Sequence, residues 1–146
     1  MGMKMQIRTA TEKDLQDLLE LIRKGLGDED AKEDFVLVQL KKLPHEREEV
    51  FVADVDGVAA GFIHVEVYSN IYFGPVGNIL GLAVKEEFRR KGFASTLLKA
   101  AEEWTKEKGC IGMRLNSGGT RLGAHDFYRS QGYDNEKTQL RFLKMY

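Results

Sequence analysis

The chain has 146 residues, with 22 Lys and Arg against 23 Asp and Glu and a formal net charge of −1. That balance excludes the cationic excess that non-specific binding to nucleic acid or an anionic membrane requires. The single cysteine, Cys110, excludes an internal disulfide, and no run approaches the roughly 18–20 apolar residues of a membrane span.

The opening "MGMKMQIRTA" lacks the apolar stretch of a signal peptide, and Gln6 stands where a myristoylation motif at Gly2 needs Ser or Thr. The expectation is one domain over residues 1–146, cytoplasmic and large enough to bury a core. Met5–Ala10 reads as a strand. Thr11 with Asp14 three residues on is a relative of the capping box, and Leu15, Leu18, Leu19, Ile22 and Leu26 follow at helical spacing. A helix is therefore expected as far as Gly25–Gly27, and a second from about Ala31 to Leu43, stopping before Pro44.

Two β-rich runs flank Asp56-Gly57, a dipeptide that accepts the positive φ of a type I′ turn, so Val50–Ser69 is expected to be a hairpin. A third strand, Val76–Val84, follows Pro75. The spacing next predicts a helix from about Lys91 to Lys108, with Phe93, Ala94, Leu97, Leu98, Ala101 and Trp104 on one face and Gly109 closing it. Cys110–Asn116 reads as a strand, Thr120–Gln131 as a short helix, and "YDNEKTQLRFLKMY" as a final hairpin or pair of short strands. The order β-α-α-β-β-β-α-β-α-β-β describes an α+β (α/β) fold. Its mixed sheet is antiparallel in the meander and parallel at the β-α-β crossover.

The chemistry-bearing stretch is "FRRKGFAS". Arg89, Arg90 and Lys91 crowd a helix entrance, where the dipole disfavours cations, and Gly92, Phe93, Ala94 and Ser95 follow. Unpaired N–H groups at a helix start, a glycine that admits a bulky ligand and nearby cations together make a phosphate cradle. The Walker A and dinucleotide patterns are both absent.

What is present, Arg89-x-x-Gly92-x-Ala94 after the strand "LGLAV", resembles the acetyl-CoA signature of the GNAT superfamily of N-acetyltransferases. "AHDFYRSQGY", some 35 residues later, is similar to that family's second hallmark, and the order of elements matches along essentially the whole chain. The resemblance implies acetyl-CoA as co-substrate, no metal, and a splayed strand pair that holds the coenzyme. Its pyrophosphate would rest on Arg89 to Ser95, with Arg90 and Lys91 near the outer phosphates. Its pantetheine arm would pair with Leu82, Ala83 and Val84, the Val84 amide also polarising the thioester carbonyl. Asn116 would hold the arm, and Tyr128 would protonate the departing thiolate.

The base is where the sequence departs from part of the family. Some members carry a glutamate six residues before the valine, and here that position is Asn78. The neighbouring strand offers His64 and Glu66, which alternate onto one face with Phe62 and Tyr68. His125 suits a cap or a coenzyme contact, Cys110 reads as core filler, and "DEDAKED" and "HEREE" read as solvated faces. The resemblance points to acetyl transfer onto a primary amine of a small molecule, in a ternary complex. A protein amino-terminal acetyltransferase and a non-catalytic acyl-CoA sensor are the alternatives. A homodimer is left open.

Overall fold

The computed structural model describes residues 4–146. Gly2, considered above as a myristoylation site, lies outside them. The chain falls into two compact units, the first ending at Leu115 and the second spanning Asn116–Tyr146.

The first unit is a five-stranded sheet in sequential order: β1 (Met5–Thr9), β2 (Glu48–Val55), β3 (Val58–Tyr68), β4 (Val76–Val84) and β5 (Met113–Leu115). The first four strands are antiparallel and β5 joins β4 in parallel, as the meander and crossover predict. Asp56 and Gly57 hold φ of 52° and 87°, the paired left-handed conformations of a type I′ turn. The helices are α1 (Leu15–Glu20), α2 (Glu33–Lys41) and α3 (Phe93–Glu107). α3 starts two residues later than expected, because Arg90 and Gly92 both take left-handed φ before it.

Alternation along the strands gives the sheet two buried faces. On one, Val50, Val52, Ala59, Phe62 and Ala83 pack with Leu18 and Leu21 of the first helical segment. On the other, α3 lies so close that a Cβ on Gly61 would sit 3.2 Å from Leu97 Cδ1 and 2.9 Å from the Ala83 carbonyl. α1 widens at its end into a π-helical turn, Leu21–Gly25. This turn presses onto the sheet: a Cβ on Gly25 would meet Ala83 Cβ at 2.6 Å, and Leu26 reaches over Gly81.

The second unit contains α4 (Leu122–Ser130), closed by Gly132 at φ 91°, with the Tyr133 N–H donating to the Tyr128 carbonyl at 3.0 Å. The expected final strands are not formed. Residues 133–146 carry no regular structure, and Leu140, Phe142, Leu143, Met145 and Tyr146 are all exposed. A strand needs a neighbour's backbone and a buried face, and this segment has neither. The strand expected over Cys110–Asn116 shortens to Met113–Leu115 for a related reason, since only these residues pair with β4.

Asp14, 2% exposed, ties the first turn to the sheet. The Arg8 guanidinium donates to both its carboxylate oxygens at 2.8 and 2.9 Å and to Asp54 at 2.8 Å, while the Thr11 N–H adds a bond at 2.8 Å. Burial alone would raise the Asp14 pKa; the bonds from Arg8 and Thr11 outweigh it and hold the carboxyl below its ordinary value. A depressed carboxyl stabilises the fold above its unfolded pKa of about 3.9 and ceases to do so as pH falls through the folded value. Asp14→Asn is expected to cost about 3 kcal/mol at neutral pH, the low end for removing one partner of a buried pair. Urea unfolding at pH 7 and pH 3 checks this, with the gap between wild type and variant narrowing at the lower pH.

Candidate functional site

β5 stops early. It pairs with β4 only through Gly77–Met113, Asn78–Arg114 and Ile79–Leu115. Among the described residues, no strand of the sheet lies on that side of β4 from Leu80 to Val84. The divergence coincides with a bulge: His64 faces Gly81 and Val65 faces Ile79, so Leu80 is the extra residue, and it is exposed.

Which backbone groups face the open edge follows from the ladder. The Lys85 N–H donates to the Ala60 carbonyl at 2.8 Å, which makes Val84–Gly61 a non-hydrogen-bonded pair, and Leu82–Ile63 the same. Leu82 and Val84 therefore turn their N–H and C=O groups away from β3, toward the open side. The Ala83 groups turn toward β3. Arg89 Nε donates to the Val84 carbonyl at 3.1 Å, as an outward-facing carbonyl permits.

Lys85 anchors the end of this edge. Its side chain is 9% exposed, and its ammonium lies 2.6 Å from Asp17 and 3.6 Å from Glu20. Burial would lower its pKa, but the two carboxylates raise it above the ordinary value, so the charge is kept. Asp17 also accepts the Ala59 N–H at 3.0 Å, locking α1 to β3 as well as to the end of β4.

A turn leads from Lys85 through Glu86–Phe88 to Gly92, the N-cap of α3, at φ 80°. Nothing lies within 4 Å of a Cβ built on Gly92, so this approach to the helix end is open. Thr96 is the first residue whose N–H closes onto the helix, at 3.1 Å to the Gly92 carbonyl. The N–H groups of Phe93 and Ala94 belong to the turn that a helix start leaves without intrahelical partners. Phe93 is buried and stacks on Phe88 with ring centroids 6.1 Å apart, which fixes the first turn. Arg89, Arg90 and Lys91 are exposed around it.

The polar residues of β3 lie in a row crossing four strands. Register aligns Glu48, Glu66, Asn78 and Arg114 side by side. Asn78 Nδ2 donates to Glu66 at 2.7 Å, and Arg114 donates to Asn78 Oδ1 at 2.8 Å while its guanidinium lies 5.0 Å from the centre of the Tyr68 ring. His64, one step along the same face, pairs through Nε2 with Glu48 at 2.8 Å. His64 and Glu66 are thus on one face, as expected, and Asn78 links the row. Glu48 and Arg114 were missed from sequence. Glu48 sat in "HEREE", expected to be a solvated face, yet is only 26% exposed.

In the second unit, Tyr128 is half-buried, its ring 5.2 Å from Phe127 and 5.8 Å from Tyr133. Burial pushes the phenol above its ordinary range and Arg121 only partly offsets this, so Tyr128 holds its proton at neutral pH. His125 Nε2 bonds the Gly118 carbonyl at 2.8 Å, closing the loop before α4. Asn116 is exposed at the start of this unit. Cys110, half-buried, has its thiol pKa raised by desolvation and so keeps it protonated. Among the described residues, no helix is long and apolar enough to cross a membrane.

An open strand edge thus leads into a helix start with Gly92 at its cap. An Acetyltransferase (GNAT) family model matches residues 15–133, and the chain belongs to that family. An uncharacterized N-acetyltransferase of Methanocaldococcus jannaschii is 30% identical over 95% of this chain, which spans 65% of that protein's length. An aminoglycoside N(6')-acetyltransferase type 1 of Acinetobacter haemolyticus is 28% identical over 96% of this chain and 98% of its own. Aminoglycoside N-acetyltransferase AAC(6')-Iy, solved in complex with CoA, superposes with a TM-score of 0.87 at 23% identity, over 99% of this chain and 97% of that one. At that identity the likeness is one of fold.

The Tyr128 environment has a measurable consequence. A phenol whose folded pKa is raised ionises first in the unfolded chain, so it withdraws stability as pH climbs past about 10. In an absorbance titration of phenolate, Tyr128→Phe should remove a component titrating above the ordinary phenol range. Loss of an ordinary component instead would contradict the burial argument.

Proposed function

We propose that this chain transfers the acetyl group of acetyl-CoA to a primary amine of a small molecule, by direct attack within a ternary complex. The observation that carries the reading is the continuity of the β4 edge with the α3 start. Leu82 and Val84 offer outward backbone groups, and Gly92 opens the helix end a few residues on. A peptide-like pantetheine arm joined to a pyrophosphate needs a strand edge and an anion site in that succession.

Leu82, Ala83 and Val84 then line the arm, only the first and last of them through their backbone. Arg89 to Ser95 take the pyrophosphate, with Arg90 and Lys91 adding charge, and Asn116 keeps the coenzyme-arm role given by the resemblance. The small-amine acceptor is supported by the Acinetobacter relative, an aminoglycoside acetyltransferase. It is also supported by the AAC(6')-Iy structure with a bisubstrate analog, CoA-S-monomethyl-acetylneamine. The family match spans both compact units, which supports reading the chain as one acetyltransferase domain.

An alkyl ammonium has a pKa of about 10.4, so the acceptor arrives protonated. Glu66 or His64 takes one proton. The amine nitrogen attacks the thioester carbonyl carbon, and the Val84 N–H holds the developing oxyanion. The nitrogen loses a second proton, the C–S bond breaks, and Tyr128 protonates the thiolate. Two protons leave nitrogen; one is balanced on sulfur and one reaches solvent.

Gly92→Glu puts bulk and negative charge where phosphate must approach, and should weaken acetyl-CoA binding by at least about 2 kcal/mol, roughly 30-fold. Calorimetric titration measures it, and equal affinities in two folded proteins would remove the cradle. Tyr128→Phe keeps the ring, so binding should hold while turnover with an amine found by thiol release falls toward the lower end of about 10²–10⁴-fold. Full turnover in that variant, with chemistry limiting, would reduce Tyr128 to packing.

A further inference from the structure

Glu48 belongs to no motif, and the acetyl-transfer reading assigns it nothing. It nevertheless makes the one bond that fixes the chemistry of the His64 ring. Register sets Glu48 opposite Glu66 and Val50 opposite His64, so Glu48 reaches His64 diagonally across the β2–β3 ladder, at 2.8 Å. Both side chains are about three-quarters covered, with 26% and 29% exposed. A carboxylate only accepts, so the ring nitrogen facing it, Nε2, carries the hydrogen. In the neutral ring the basic lone pair is then on Nδ1.

We propose that Glu48 is a positioning residue that locks the His64 tautomer, making His64 Nδ1 the base for the acceptor ammonium and leaving Glu66 to anchor that ammonium. The inference rests on the acetyl-transfer reading. Two physical points divide the roles. An imidazole whose Nε2–H is given to a carboxylate offers a neutral lone pair at Nδ1, which can take a proton and pass it on to solvent. Glu66, in turn, is already oriented by Asn78, itself held by Arg114, as suits a fixed anion that binds a cation.

The groups facing His64 are Glu48 from β2 and Glu66 from its own strand, with the Arg114 charge beyond Asn78 on β4. The π-helical turn packed over this part of the sheet presents apolar Leu26. In the step, the N–H bond of the ammonium breaks, Nδ1–H forms, and Glu48 stabilises the imidazolium through Nε2–H. The proton then passes from Nδ1 to solvent.

The test uses the full chain. Long-range ¹H–¹⁵N spectra, with His64 assigned through His64→Gln, should show a single Nε2–H tautomer where the ring is neutral, and a mixture in Glu48→Leu. With an amine that the wild type acetylates, Glu48→Leu and His64→Gln should each lower kcat by about 10²-fold, the low end for general acid–base catalysis. The double variant should lose little more. Glu66→Gln should chiefly raise the KM for the amine, and Glu48→Asp should restore part of the Glu48→Leu loss. An unchanged tautomer in Glu48→Leu, or losses that multiply in the double variant, would overturn the proposal. If no amine is acetylated while the tautomer shifts as expected, the acetyl-transfer reading and the base role fall, and the Glu48–His64 lock alone stands.

Discussion

Backbone hydrogen bonding left incomplete is the constraint from which the site follows. Every strand in a sheet interior spends its N–H and C=O groups on two neighbours, and orphaned groups are costly when water is excluded. β4 has two neighbours only as far as Ile79, because β5 ends at Leu115. Beyond that point its outer groups have no strand of the sheet to pair with, and of these the Val84 carbonyl accepts from Arg89. The rest of the unit holds this edge in place. Lys85 clamps its end to α1, Ala83 is pinned under the π-helical turn, and α3 packs against Gly61 too closely for a side chain there.

The polar row across β2 to β5 is set by the same register. A line of Glu, Glu, Asn and Arg on a sheet face would be an expensive thing to bury, and it lies where the apolar face built on Val50, Val52 and Phe62 gives out. Glu66, Asn78 and Arg114 are joined to one another by hydrogen bonds, and Glu48 bonds His64 instead. The fold therefore tolerates the row without drawing much stability from it, and the sequence there answers to chemistry more than to packing.

Much of the fold was legible because local rules are strong where one residue decides a conformation. Asp56-Gly57 marked its turn, and the leucine spacing after Thr11 marked its helix. The small residues after Arg89 marked the helix start, although the left-handed Arg90 delayed α3 by two residues. The last segment misled. "QLRFLKMY" has the composition of a strand, but composition states what a strand would look like and not whether an edge exists to receive it. In the candidate site, the glycine at the α3 start and the His64–Glu66 face could be read from spacing. Glu48 could not, since its position depends on pairing between strands and on an irregularity between Ala53 and Asp54 that no local pattern announces.

Leu80 carries a last consequence. An extra residue in one strand shifts the phase of everything downstream, so Asn78 and Ala83, an odd number of positions apart, share a face. The strand is two reading frames joined at one residue. Its first frame is fixed by the polar row and its second by the open edge, and the surplus residue takes up the change of phase between them. Deleting that residue would restore plain alternation while leaving Gly81 opposite His64 and Leu82 opposite Ile63, so the outward groups would keep their direction and only the local bend beside Ile79 would go.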